Sequence, residues 1–264
     1  MLKGLDEMER KYWVPAIERV DKILEIIAHH PEKYRLIDFS NELNINKSSM
    51  FSLLNTLEAL NWVKREKDGT YSLGIKLGIL TPYYFKQFDL ITTFNLEAHT
   101  TNKRLDETLQ LSILDGTEIV YLAKKEGTSA VRVSTDPGMK LPAHATAMGK
   151  VQLSQYSKEE LKALYPEENL KPKTPYTITK VDELWEQIES IKENGVITEC
   201  QEAVEDFYCV AAPIINHEDR IIASVSATIL LSKWEEKKKV AEEEIIDLAR
   251  RISLKAGFLA PIKN

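Results

Sequence analysis

Three observations predict an α+β fold in two parts. Three short amphipathic helices run in succession, a basic-tipped β-hairpin follows them directly, and beyond residue 108 strands and helices mingle without a repeating strand–helix–strand unit. The first two predict a winged helix-turn-helix over residues 14–75. The third predicts a domain over 109–264 with a largely antiparallel sheet, and residues 76–108 read as a helical linker region.

Each element has its own signal. Ile17, Val20, Ile23, Leu24 and Ile27 recur at helical spacing across Val14–Ala28, with Pro15 in a first turn where its missing N–H costs nothing. A second helix is expected over Leu36–Leu43 and a third over Lys47–Leu60. The third carries one stripe of Met50, Leu53, Leu54, Leu57 and Leu60, and Asn46 suits its N-cap. Trp62-Val63 and Tyr71–Leu73 are β-type runs around Asp68-Gly69, a hairpin turn tipped by Lys64, Arg65 and Lys67. Residues 75–108 read as helical, interrupted by Pro82.

In the C-terminal part, Leu109–Leu114 and Ile119–Ala123 flank the turn Asp115-Gly116, and Val131–Ser134 reads as a further strand. A helix is expected across Ala145–Gln155, and Ser157-Lys158-Glu159-Glu160 is a capping box opening another. Thr179 is the expected cap of a helix over Asp182–Asn194 that Gly195 ends. Cys209–Ile215 and Ile221–Ile229 pair around the turn Asn216–Arg220, and a last helix covers Trp234–Ala256.

Composition narrows the function classes. Of 264 residues 43% are apolar and 29% charged, which excludes wholesale disorder. The longest near-continuous apolar run, Ile221 to Leu231, has 11 residues, whereas a bilayer needs about 20, so no membrane partner is expected. The opening MLKGLDEMERKYW carries acids where a signal peptide needs an apolar stretch, and two cysteines are too few for a disulfide framework. A cytoplasmic chain is expected. Residues 1–80 hold 12 basic and 12 acidic residues, so the whole net charge of −6 lies beyond them. A neutral head on an acidic body fits DNA binding by the head alone.

Four stretches together resemble the IclR family of bacterial transcriptional regulators. They are LIDFSNELNINKSSMFSLLNTLEALNWVKREKDGTYSLGIKLG in the head, then ETLQLSILDGTEIVYLAKKEG, GMKLPAHATAMGKVQLSQY and GVITECQEAVEDFYCVAAPIINHEDRIIASVSATI in the body. The resemblance runs from Val14 to Lys255. It implies a winged helix-turn-helix, a linker helix used in dimerisation, a GAF-like effector-binding domain, and a homodimer or a tetramer built as a dimer of dimers. Two positions depart from the family pattern. Ser52 stands where the family usually has Arg, and Glu199 where it often has Asp.

A recognition helix presents its N-terminal residues to base edges while a wing reaches the backbone or minor groove. Lys47 is the candidate for a phosphate or guanine. Ser48, Ser49 and Ser52 can donate to phosphates or bases, although first-turn serines are equally often only caps. Arg65 and Lys67 suit phosphates or a narrow minor groove. In an arbitrary protein these cations would be plain solvated charges; within this pattern they read as contacts to double-stranded operator DNA.

For the effector, the resemblance implies the backbone amides of Ala147 and Met148, and the side chains of Glu199, Cys209, Ser226 and Thr228. Ser226 and Thr228, two apart, face the same side of a strand. Phe207 is a candidate apolar wall or plain core, and Cys209 outside this context is a small buried hydrophobe. The expected ligand is a small carboxylate or hydroxylated metabolite. No cofactor or metal is expected, because no second ligand-type residue stands near His144 at metal-binding spacing. An enzyme reading would need Cys209 as nucleophile, His144 as base and Glu199 or Glu202 as orienter, but no nucleophile elbow or glycine-rich nucleotide loop accompanies them. A winged helix that binds protein instead of DNA is the other alternative.

Overall fold

Pro15 occupies the first turn of α1 (Pro15–His29), which leads through a short turn to α2 (Leu36–Glu42) and α3 (Lys47–Ala59). The computed structural model describes residues 13–258 apart from 130, 132 and 168, and the chain divides into two units, residues 1–87 and 88–264. In the first unit the Asn46 side chain caps α3 as expected, accepting from the Ser49 amide at 2.8 Å. Ile23 and Ile27 of α1, Phe39 of α2 and Met50, Leu54 and Leu57 of α3 close one core. Truncating any of the α3 trio to Ala would cost about 2–5 kcal/mol. Leu60, expected on that stripe, is 53% exposed because it sits at the C-cap, where the chain leaves the helical path.

The wing follows. Strands β1 (Val63–Arg65) and β2 (Tyr71–Leu73) pair antiparallel, Val63 opposite Leu73 and Arg65 opposite Tyr71. Val63 and Tyr71 point into the core, so the hairpin is fixed by its buried face while its tip stays in water. Asp68 organises the turn, accepting from the Thr70 amide at 3.1 Å and its hydroxyl at 2.6 Å. Helix α4 (Ile75–Gln87) then runs through Pro82 without breaking. The interruption falls instead before α5 (Leu90–Leu105), where Asp89 accepts from the Thr92 amide at 2.6 Å and starts a new helix. The segment expected as a linker, 76–108, thus spans the division, with α4 in the first unit and α5 in the second.

Among its described residues the second unit holds a six-stranded, wholly antiparallel sheet. Its strands are β3 (Thr108–Asp115), β4 (Glu118–Lys125), β5 (Lys140–Pro142), β6 (Ile197–Cys200), β7 (Phe207–Ile215) and β8 (Ile221–Leu230), in the order β5-β4-β3-β8-β7-β6. Leu109, Leu111, Val210, Ala212, Val225 and Ala227 face α5 and the long α9 (Trp234–Lys255) in one core. Ile119, Tyr121, Ile197 and Ala211 face the other side, against α6 (Ala147–Leu153), α7 (Lys158–Leu164) and α8 (Val181–Asn194). Period-two alternation along β8 therefore feeds two helical layers at once.

Several expectations need correction. The strand read at Val131–Ser134 includes Arg132, outside the described residues, and Val131, Val133 and Ser134 form none; the edge strand is β5. The helix read over Ala145–Gln155 is split, with a single 3-10 turn at Ala143–Ala145 before α6. That split needs Gly149, since a Cβ there would overlap the Ala143 backbone. Thr179 does not cap α8: Lys180 is the N-cap, and the Thr179 carbonyl accepts from the Leu170 amide at 2.7 Å instead. The Ser157 capping box and the left-handed Gly195 (φ +68°) are present as read.

Candidate functional site

On α3 the polar groups are mostly spent on the helix itself. The Ser48 hydroxyl donates to Asn46 Oδ1 at 2.8 Å, Ser52 to the Ser48 carbonyl at 3.1 Å, and Thr56 to the Ser52 carbonyl at 2.8 Å. Those serines keep acceptor capacity, so they can receive a base amino group more readily than donate to a phosphate. Lys47 is exposed at the first position of α3. Arg19 of α1 lines the same surface groove as Ser48, Ser49 and Ser52, a neighbour that sequence spacing does not reveal.

In the wing the cations differ in commitment. Lys64 is paired with Glu66 at 2.8 Å, and Glu66 also accepts from Ser72 at 2.6 Å; the lysine is held above its ordinary range and the carboxyl below its own by that contact. Arg65 and Lys67 are exposed and, among the described residues, make no ion pair. The tip therefore offers two uncommitted charges beside one neutralised in place.

The second site lies on the sheet face under α6. Ser226 and Thr228 of β8 share that face, and both donate to one atom, Gln110 Oε1 of β3, at 3.4 and 3.1 Å. Gln110 in turn donates to the Thr135 hydroxyl. Cys209 of β7 stands opposite Thr228 on one side and Glu199 of β6 on the other, its thiol 3.6 Å from the Thr228 hydroxyl. Phe207, two residues earlier on β7, is buried on the same face. Strand register thus brings together four of the expected side chains, Glu199, Cys209, Ser226 and Thr228, with Phe207 at the end of the row.

Ala147 and Met148 form the buried first turn of α6, capped by the Thr146 hydroxyl, which accepts from the Gly149 amide at 3.1 Å. Met148 bears on the neighbouring rung: its carbonyl accepts from Ser224 at 3.1 Å and its sulfur from Ser112 at 3.3 Å, with Gln152 donating to Ser224 at 2.8 Å. Sequence reading missed Gln110, Ser112, Thr135, Gln152 and Ser224. The signal was present in Ser224, which continues the two-residue spacing of Ser226 and Thr228.

Charge on this face is closed on itself. Lys150 of α6 is fully buried, ion-paired to Glu202 and donating to Gln187 at 2.7 Å; burial lowers its pKa while Glu202 works to raise it. The Glu199 carboxyl accepts from the Glu202 and Ala203 amides, yet burial outweighs those bonds and pushes it up to about 7. Burial, with Glu199 next, holds the Cys209 thiol well above its ordinary value. A thiol in that state is a poor nucleophile. His144 is tied to the Lys171 carbonyl at 3.1 Å and packs edge-on to Tyr165, with burial lowering its pKa.

Comparison with known proteins decides the family. A model described as bacterial transcriptional regulator IclR C-terminal matches residues 83–254, and the IclR helix-turn-helix domain matches residues 16–67. The chain belongs to the IclR family of bacterial transcriptional regulators. The regulator is 31% identical over 221 residues to HTH-type transcriptional regulator XynR of Escherichia coli (strain K12), covering 83% of this chain and 88% of that one. It is 27% identical over 247 residues to HTH-type transcriptional regulator KdgR of Dickeya chrysanthemi, covering 93% and 81%. Among solved structures it is similar to the Agobacterium tumefaciens repressor BlcR, with a TM-score of 0.82, 26% identity and coverage of 94% and 99%. This regulator is accordingly a DNA-binding, ligand-responsive transcription factor with a C-terminal effector-binding domain, and its relatives are regulators, not enzymes. Among the described residues no helix is long and apolar enough to cross a membrane.

Proposed function

We propose that the regulator works in the cytoplasm as a homodimer, and that a small organic acid or hydroxylated metabolite bound under α6 changes its grip on operator DNA. In the head, Lys47 and the wing residues Arg65 and Lys67 take phosphates, while Ser48, Ser49 and Ser52 face the major groove. In the body, the ligand lies between the first turn of α6, at Ala147 and Met148, and the row Glu199, Phe207, Cys209, Ser226 and Thr228. One observation carries the second half: a carboxyl, a thiol and two hydroxyls from three strands converge on one buried sheet face, with Gln110 between the hydroxyls. Burying polar groups costs free energy that plain core would avoid. A ligand that exchanges hydrogen bonds with this row gives those groups a use.

Dimerisation is supported by α4, whose Ile75, Ile79 and Tyr83 repeat every four residues and are 70%, 51% and 66% exposed. Two heads also double the site read, which a single winged helix needs for genomic specificity. The test is calorimetry of the full chain against two- to six-carbon hydroxy and keto acids, repeated with Glu199→Ala and Ser226→Ala. A Kd weakened tenfold or more in both variants is expected; binding unchanged by either puts the pocket elsewhere.

A further inference from the structure

After Lys47 at its start, α3 carries no basic side chain. The exposed residues beyond Lys47 are Ser48, Phe51, Ser52, Asn55, Thr56, Glu58 and Ala59. Ser48, Ser52 and Thr56 already donate within the helix or its cap. Apart from Glu58 and the methyl of Ala59, two groups remain unused. Phe51 is 51% exposed and lies outside the core of its unit. Asn55 is exposed, and among the described residues its carboxamide makes no hydrogen bond.

A lone exposed aromatic is ordinary. This one stands four residues before an uncommitted carboxamide on a recognition helix. Residues four apart share a helix face and lie about 6 Å apart along the axis. Base pairs rise by roughly 3.4 Å, so the two side chains reach pairs one or two steps apart. In the major groove a carboxamide pairs in bidentate fashion with adenine N6 and N7, and an apolar side chain covers the thymine methyl.

We propose that Asn55 and Phe51 are the specificity-determining residues of the head: Asn55 reads an adenine, and Phe51 the methyl of a thymine one or two base pairs away, so each half-site contains these A·T pairs. Lys47 and the wing supply affinity without sequence. The inference rests on the reading of α3 as the major-groove helix.

The test uses the full chain and a pool of duplexes with a randomised 20-base-pair core, selected by the wild-type protein, by Phe51→Ala and by Asn55→Ala. Both positions are exposed, so neither variant threatens the core. The wild-type selection should return A·T pairs at the two positions. Replacing the selected adenine by 7-deazaadenine should then weaken wild-type binding by roughly 5- to 150-fold and leave Asn55→Ala unmoved. Uracil in place of the thymine should weaken wild type about fourfold and leave Phe51→Ala unmoved. Lys47→Ala should bind every duplex less tightly and select the same sequence. The inference is overturned if both variants select the wild-type sequence with wild-type sensitivity to the two analogues, or if that sequence lacks the A·T pairs. A wild-type chain that enriches no sequence overturns the inference together with the DNA reading beneath it.

Discussion

The head and the body handle polar groups in opposite ways. On α3 and the wing, cations and a carboxamide stand in water with few partners, ready for a polyanion. Under α6 the polar groups are buried and bonded to each other, so a ligand must compete for bonds already made. The contrast teaches where a change should register. Substitutions of the exposed cations and carboxamide in the head should move DNA affinity and hardly touch stability, while those of the buried polar groups in the body should do the reverse until a ligand is present.

The largest expected effect is at Lys150. Lys150→Met leaves Glu202 buried without its partner and should lower the unfolding free energy by about 3–5 kcal/mol. Adding Glu202→Leu should recover much of that loss, as read by urea unfolding of the full chain. Equal loss in the single and double variants would break the picture of a self-compensated face.

Next comes the pH dependence at Glu199. Its folded pKa of about 7 lies above the ordinary 4.5, so the folded state binds the proton more tightly than the unfolded one. Stability from this group is therefore greatest at low pH and falls as pH rises from 4.5 to about 7, by up to roughly 3 kcal/mol. Glu199→Gln should remove that slope and stabilise the protein at pH 8. Unfolding measured from pH 5 to 8 in both proteins checks the sign.

Gln110 sharpens the comparison. Gln110→Ala strips the shared acceptor from Ser226 and Thr228 and should cost about 1–3 kcal/mol. In the head, Asn46→Ala removes only a cap and should cost about 1 kcal/mol, measured by the same unfolding curves. Smallest in stability is Arg65→Ala, whose effect falls on DNA binding. It should leave the unfolding midpoint in place and reduce the slope of log K against log salt by about 0.9.

The same contrast explains what was legible in the sequence. The head was nearly all readable because its signals are local: Asn46 before α3, Asp68-Gly69 between two β runs, apolar residues at helical spacing. The errors there, Leu60 and Pro82, came at helix ends and in an exposed helix, where packing decides less. In the body, Ser226 and Thr228 were placed correctly on one face by alternation alone. Gln110 and Thr135 were not found, since their roles depend on β3 lying beside β8 with Gln110 opposite Ser226, a pairing across more than a hundred residues. Thr179 failed as a cap because its backbone was drawn into a bridge to the segment at Asn169. Lys150 and Glu202 stand 52 residues apart in the sequence, and only the fold buries them together.

The most direct measurement is fluorescence anisotropy of a duplex selected by the wild-type chain, titrated with and without each member of a panel of two- to six-carbon hydroxy and keto acids. At least one acid should shift the DNA Kd by about 5- to 150-fold in wild type and leave Glu199→Ala unchanged. An identical Kd with every acid present would contradict the account, as would a shift that survives intact in Glu199→Ala.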